Sequence, residues 1–298
     1  MKKWFIATRP WSFPVSSMSV LISGAYLYWR GWDVSWLIIL WAVFGIILFH
    51  AAGNLISDWY DFKKGIDAED TFGSKTLTDG ILTPKQVLVF GIVMLVLGII
   101  NGLGIMLVTG WWLLLFGGLG ALLTLLYPWM KSHALGDFDI FLEYGIIPAL
   151  GTAYAATGGL LDAALFADVL WVVPAFVTIT VAVLHTNNTR DTFTDKRAGI
   201  KTFAMLIGRE HSIALYIVEI VFPVIWVLML VAAGRMPWLA LAVVALILVL
   251  RNNCKQAVLF EKDPHAMDFL DEMTAKLQLM NGILLTLTLV ASKLISLI

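Results

Sequence analysis

Apolar residues do not alternate along this chain; they come in long runs. Nine of them, at 12–29, 35–56, 86–108, 111–130, 140–160, 168–189, 211–233, 237–256 and 276–298, approach the roughly 20 apolar residues that a membrane-crossing helix needs. The run at 12–29 is the shortest and is rich in Ser. Polar connections between runs are unequal. The stretches 57–85, 190–210 and 257–275 are long, whereas Thr109-Gly110 and Gly234-Arg235-Met236 are tight turns. This pattern predicts an all-α polytopic membrane protein of nine transmembrane helices, organised as one domain over 1–298.

Composition agrees. Hydrophobic residues make up 60% of the 298 and charged residues 14%, against roughly 25% charged in soluble domains. Charge is segregated. With the N-terminus in the cytosol, 17 of the 20 Lys and Arg fall on the cytosolic side, a strong positive-inside asymmetry. The expected location is the cell (inner) membrane with the long loops cytosolic. The single Cys254 excludes an internal disulfide and a thiolate metal cluster, and the five His show no close ligand spacing. No phosphate loop of the Gly-x-x-x-x-Gly-Lys-Ser/Thr type is present, so an ordinary ATPase is not indicated. No nucleic-acid partner is expected.

One short pattern is written twice. Asn54, Asp58 and Asp61 form the first copy; Asn187, Asp191 and Asp195 form the second, with Asn and first Asp both displaced by 133 positions. Helical spacing sets each trio on one face. Each copy closes an apolar run, where carboxylates are costly unless paired, wet or bound to a cation. The repeat points to an internal duplication with a site at its interface. Oxygen ligands of this kind suit Mg²⁺ shared with substrate phosphates. Lys63, Lys64 and Lys75 follow the first stripe, while Arg190, Lys196, Arg197 and Lys201 lie in or after the second. Carboxylate, Mg²⁺ and Lys/Arg together fit a diphosphate. At the mouth of an apolar bundle, that reads as a lipid diphosphate whose charge is stabilised as its C–O bond breaks.

Bland readings stand beside this. Lys63 and Lys64 suit topology signals. His50 and His185 suit packed, hydrogen-bonded positions. Glu143 and Glu219, carboxylates in or near spans, suit pairing or capping. The 13 Trp suit membrane-interface belts. A cation-coupled transporter would also use two acidic stripes, but these gather at one membrane face rather than the midplane.

Several ordered blocks resemble the UbiA superfamily of intramembrane prenyltransferases. They are Thr8-Arg9-Pro10-Trp11-Ser12-Phe13-Pro14, Asn54 to Asp67, Gly80-Ile81-Leu82-Thr83-Pro84, Tyr127-Pro128 with Lys131 and Gly136-Asp137, and Asn187 to Thr202. The wording of both Asp-rich motifs is most similar to the 1,4-dihydroxy-2-naphthoate branch of menaquinone synthesis. Lys75 and Ile200 depart from that pattern, as does Gly65, where many relatives carry Asp. The resemblance implies nine helices around a central cavity and two Mg²⁺ ions held by Asp58, Asp61, Asp191 and Asp195, with Asn54 and Asn187 beside them. It implies diphosphate contacts from Lys75, Arg190 and Lys201, acceptor contacts from Arg9 and Lys131, and a metal or acceptor role for Asp67. The implied reaction is polyprenyl transfer to 1,4-dihydroxy-2-naphthoate with loss of its carboxylate. Other acceptors, such as 4-hydroxybenzoate, a haem vinyl group or a glycerol phosphate, leave the chemistry unchanged.

Overall fold

A computed structural model describes residues 2–65 and 75–298; Asp67 therefore lies outside the described residues. The described residues are helical, with no strand among them. In chain order the helices are α1 (Lys2–Ala7), α2 (Pro14–Arg30), α3 (Trp36–Lys64), α4 (Pro84–Thr109), α5 (Leu113–Lys131), α6 (Gly136–Phe141) and α7 (Ile147–Ala156). There follow α8 (Ala163–Val172), α9 (Val177–Arg190), α10 (Thr192–Arg197), α11 (Phe203–Ile207), α12 (Arg209–Ala232), α13 (Ile247–Leu259) and α14 (Leu270–Ile295).

By length and composition, six helical segments among the described residues can cross a membrane, or seven when the pair α8–α9, bent by 45°, counts as one span. Pro174 explains that bend: it sits in a 3₁₀ turn, Val173–Ala175, that interrupts the hydrogen-bond ladder. Two expected spans take other forms. The run at 12–29 becomes α2, only 17 residues long, whose Ser16, Ser17, Ser19 and Ser23 are all buried. A helix sheathed by other helices does not need a lipid-facing apolar surface, which is why its hydropathy is weak. The run at 140–160 is divided by a π turn, Leu142–Ile146, between α6 and α7.

Helix ends follow their sequence signals. Thr83 and Gln86 form a capping box at the start of α4. Gly65, at φ 69°, stops α3 four residues after Asp61 by donating its N–H to the Asp61 and Phe62 carbonyls. A side chain there would be strained, which accounts for glycine at this point of the motif.

Helix packing closes a ring: α3 on α5, α5 on α6, α6 on α9, α9 on α14, α14 on α2, and α2 back on α3. One apolar core, including Tyr26, Leu165, Phe176, Val227 and Leu285, fills the bundle at the end opposite the Asp stripes. At the stripe end the ring stays open inside.

Candidate active site

The ring encloses a cavity of about 740 Å³. Helical periodicity builds its walls. From α3 come His50, Gly53, Asn54, Ser57 and Asp61; from α5 come Thr124, Tyr127 and Lys131. From α9 come Thr180, Val183, Leu184, Asn187 and Arg190, with Asp191, Thr194 and Asp195 continuing below it. The steps of three or four residues are one face of each helix. The two Asn/Asp stripes therefore do converge on one cavity from opposite walls. Lys75 and Arg9 also line it.

At the mouth the charges are paired. Lys131 Nζ lies 3.8 Å from Asp61, joining α5 to α3. Arg190 turns its guanidinium fork onto the neighbouring Asp191, at 2.7 and 2.9 Å. Its remaining nitrogen donates to the Asp268 carbonyl at 3.2 Å and lies 3.6 Å from the Asp271 carboxylate. Arg190 thus braces the second stripe from behind. Asp195 is 4% exposed. Burial raises its carboxyl to about 6, Lys131 pulls the other way, and Asp191 and Asp61 push it further up. These opposing influences reflect how tightly the three carboxylates and the lysine are grouped.

The first stripe is partly given over to the N-terminal segment. Asp58 is buried and pairs with Arg9. Asn54 Nδ2 donates to the Thr8 carbonyl at 2.9 Å and to the Ser12 hydroxyl at 3.2 Å. Arg9 holds a left-handed backbone, φ 52° and ψ 59°, just before Pro10. Such a residue costs on the order of 1–3 kcal/mol, offset by surroundings that include the Asp58 pair and the Ser12 N–H and hydroxyl donating to the Arg9 carbonyl. Asp58, expected at the metal, pairs with Arg9 here and is not among the residues lining the cavity. Lys201 also stands outside the lining. It is exposed, and its backbone N–H donates to the Ser132 carbonyl at 3.2 Å.

Do the remaining groups fit a hard cation? Asn187 Oδ1 and Asp195 Oδ2 are buried and have no hydrogen-bond partner among the described residues. Buried acceptors without donors are costly. Together with the Asp61 and Asp191 carboxylates they form an all-oxygen donor set, the kind Mg²⁺ takes. The residues fit.

Some lining residues carried no clear sequence signal. Asp271 reads as loop, yet it opens α14 and faces Arg190. Thr124, Glu143 and Tyr144 line the inner part of the cavity. His50 is packed as its helix position suggests: its ring nitrogens lie 2.8 and 3.2 Å from the Ser16 and Ser12 hydroxyls, and it stacks on Tyr144.

Fold and site together define an integral membrane protein, all-helical, with a carboxylate-rich cavity at one end of its bundle. Comparison with known proteins places it more closely. Residues 17–266 match the UbiA prenyltransferase family. A zebrafish (Danio rerio) relative, UbiA prenyltransferase domain-containing protein 1, is 36% identical over 221 residues, covering 72% of this chain but 63% of that protein. In fold, the chain is similar to a UbiA homologue from Aeropyrum pernix (TM-score 0.65, 14% identity, 97% of each chain). It is also similar to one from Archaeoglobus fulgidus bound to GPP and Mg²⁺ (TM-score 0.58, 11% identity, 95% of this chain and 99% of that one). The chain belongs to the UbiA prenyltransferase family.

Proposed function

We propose that this protein transfers a polyprenyl group from its diphosphate to 1,4-dihydroxy-2-naphthoate, with loss of the acceptor carboxylate, giving demethylmenaquinone. The observation that carries the reading is the convergence of Asp61, Asp191, Asp195 and Asn187 on one cavity with Lys131 and Lys75 beside them. Two Mg²⁺ ions held by these oxygens would neutralise charge on the departing diphosphate. Lys131, held by Asp61 at the mouth, and Lys75 face the same negative charge. Arg190 keeps Asp191 in place rather than reaching for substrate. Asp58 and Arg9 fix the N-terminal segment that forms one wall. Asp67 remains a further metal or acceptor contact in this reading, and Lys201 a diphosphate contact from the loop.

The chain would cross the inner membrane nine times, α2 and the α6–α7 segment supplying the spans that hydropathy alone does not qualify. Its N-terminus and mouth would face the cytosol, the orientation that the placement of 17 of 20 Lys and Arg favours. The two stripes would descend from one duplicated element. Support for transfer from a prenyl diphosphate with Mg²⁺ comes from the family and from the GPP- and Mg²⁺-bound Archaeoglobus homologue; the aromatic acceptor rests on the wording of the two motifs.

The test is product formation in lipid nanodiscs with a polyprenyl diphosphate, Mg²⁺ and a panel including 1,4-dihydroxy-2-naphthoate and 4-hydroxybenzoate, read by mass spectrometry. A prenylated naphthalene lacking the carboxylate, lost with EDTA, is the expected product. Product from a different acceptor alone would overturn the acceptor and keep the chemistry. Cation transport without any product would overturn both.

A further inference from the structure

The cavity has two tiers. Asp61 and Lys131 mark the mouth. His50 lies 11 residues earlier on α3 and Thr124 seven residues earlier on α5, which at helical rise is about 16 and about 10 Å deeper. The inner tier is formed by His50, Thr124, Glu143, Tyr144 and Thr180 with apolar Val15, Ile140 and Val183 between them.

Glu143 is the outlier there. It is 6% exposed, lies well inside the bundle, and lines the cavity. Thr124 donates its hydroxyl to one carboxyl oxygen, Oε1, fixing the side chain from the neighbouring helix. Glu143 and Tyr144 both line the cavity, and both lie in the π turn Leu142–Ile146. Single π turns within helices are frequent at functional sites. Tyr144 stacks on His50 with ring centroids 4.9 Å apart and planes 26° apart, placing flat aromatic surface next to the carboxyl.

We propose that Glu143 is the acceptor-recognition residue of this inner tier, accepting a hydrogen bond from a ring hydroxyl of the aromatic acceptor. A prenyl tail laid against it would press hydrocarbon onto a buried carboxyl already fixed by Thr124. Among the described residues no Lys or Arg is ion-paired with this carboxyl, so an anionic group would find no paired counter-charge beside it. The cations are at the mouth, where Lys131 pairs with Asp61 and Arg190 with Asp191. A hydroxyl is both a donor and uncharged. An acceptor carrying a hydroxyl on one edge and a carboxylate on the other would enter with the hydroxyl inward and the carboxylate towards Lys131. The inference rests on the aromatic-acceptor reading above and gives it an orientation and a residue.

The experiment measures acceptor binding and turnover separately. Protein in nanodiscs, with Mg²⁺ and a non-ionising thiolo-diphosphate analogue, is titrated with each hydroxyaromatic of the panel and with its methyl ether. Wild-type protein should bind the hydroxyl form about tenfold more tightly, the worth of one buried hydrogen bond. Glu143→Leu, which removes both acceptor oxygens at similar volume, should erase that preference while leaving affinity for the diphosphate analogue unchanged; Glu143→Gln, which keeps one acceptor oxygen, should retain part of it. The ether comparison needs only wild-type protein, so equal binding of the two forms would overturn the inference even if the variant does not fold. Equal binding of hydroxyl and ether forms, a preference that survives intact in Glu143→Leu, or no binding by any panel member would each overturn the inference. Turnover measured in parallel separates the two ideas. Transfer with the preference intact in the variant sinks the role of Glu143 alone; no transfer, with the preference lost in the variant, sinks the transferase reading and keeps the subsite.

Discussion

Replacing Arg190 with Ala should destabilise the protein more than any other single change at the mouth, and Mg²⁺ should partly reverse it. The side chain is 7% exposed and serves three acceptors. Its loss removes both bonds to Asp191, the donor to the Asp268 carbonyl, and the charge facing Asp271 at 3.6 Å. Breaking a buried pair by deleting one partner costs about 3–5 kcal/mol. Asp191, at 23% side-chain exposure, keeps some water, which favours the lower figure. At roughly 2–4 °C per kcal/mol, the apparent melting temperature should fall by on the order of 6–10 °C. Melting followed by Trp fluorescence in nanodiscs at a fixed scan rate measures this. A cation on the newly unpaired Asp191 replaces the lost charge, so Mg²⁺ should raise the variant's melting point more than the wild type's. Arg190→Lys, which keeps charge but not the fork, should fall between. A variant that melts within 2 °C (roughly 1 kcal/mol) of wild type, or that gains nothing extra from Mg²⁺, would refute the bracing role.

Three further outcomes follow from the same geometry. Asp195→Asn should lower product formation by about a hundredfold or more, as removal of a group stabilising transition-state charge does, with circular dichroism unchanged; near-normal turnover would remove Asp195 from the metal set. In metal-free protein, the Asp195 carboxyl raised to about 6 binds its proton more tightly folded than unfolded, so stability should fall as pH rises from about 4 to about 6, by about 2–3 kcal/mol in all. Asp195→Asn should flatten that melting profile, and Mg²⁺ affinity should rise as pH passes about 6 because proton and cation compete. Gly159→Ala should prevent accumulation of folded protein on size-exclusion chromatography, since Gly159 has φ +90° and an added Cβ would overlap the Thr109 carbonyl; a normal yield would contradict that close approach.

The apolar runs and the paired stripes were legible because each obeys a short-range rule. Helix length shows as hydropathy, and residues three or four apart share a face, so spacing alone set Asn54 with Asp61, and Asn187 with Asp191 and Asp195, on cavity walls. What escaped depends on contacts between distant segments. The Asp58 pairing with Arg9 joins positions 49 apart, and Asp271 reaches Arg190 across 81. Nothing in local spacing announces either. The π turn at Leu142–Ile146 was hidden for a different reason: a helix that gains one residue per turn keeps the composition of an ordinary one, so Glu143 reads as an odd carboxylate in a span rather than part of a wall. Hydropathy underrated α2 because its Ser residues face protein and not lipid.

The two stripes match in sequence and differ in what they hold. In the first, the Asn54 amide nitrogen is bonded to the N-terminal segment and Asp58 is paired with Arg9, which leaves Asp61 facing the cavity opposite Lys131. In the second, Asp191 is braced by the adjacent Arg190, while Asn187 Oδ1 and Asp195 Oδ2 have no donor among the described residues. The second stripe thus offers more unsatisfied oxygen. If both stripes held cations equally, neutralising either should have similar effects. The structure instead predicts inequality. Asp58→Asn should loosen the N-terminal wall, lowering stability and raising the KM for substrates with kcat partly kept. Asp195→Asn should lower kcat with no loss of stability. Equal losses of kcat in both variants, with equal melting points, would show that the stripes act alike and that the Arg9 pairing does not set Asp58 apart.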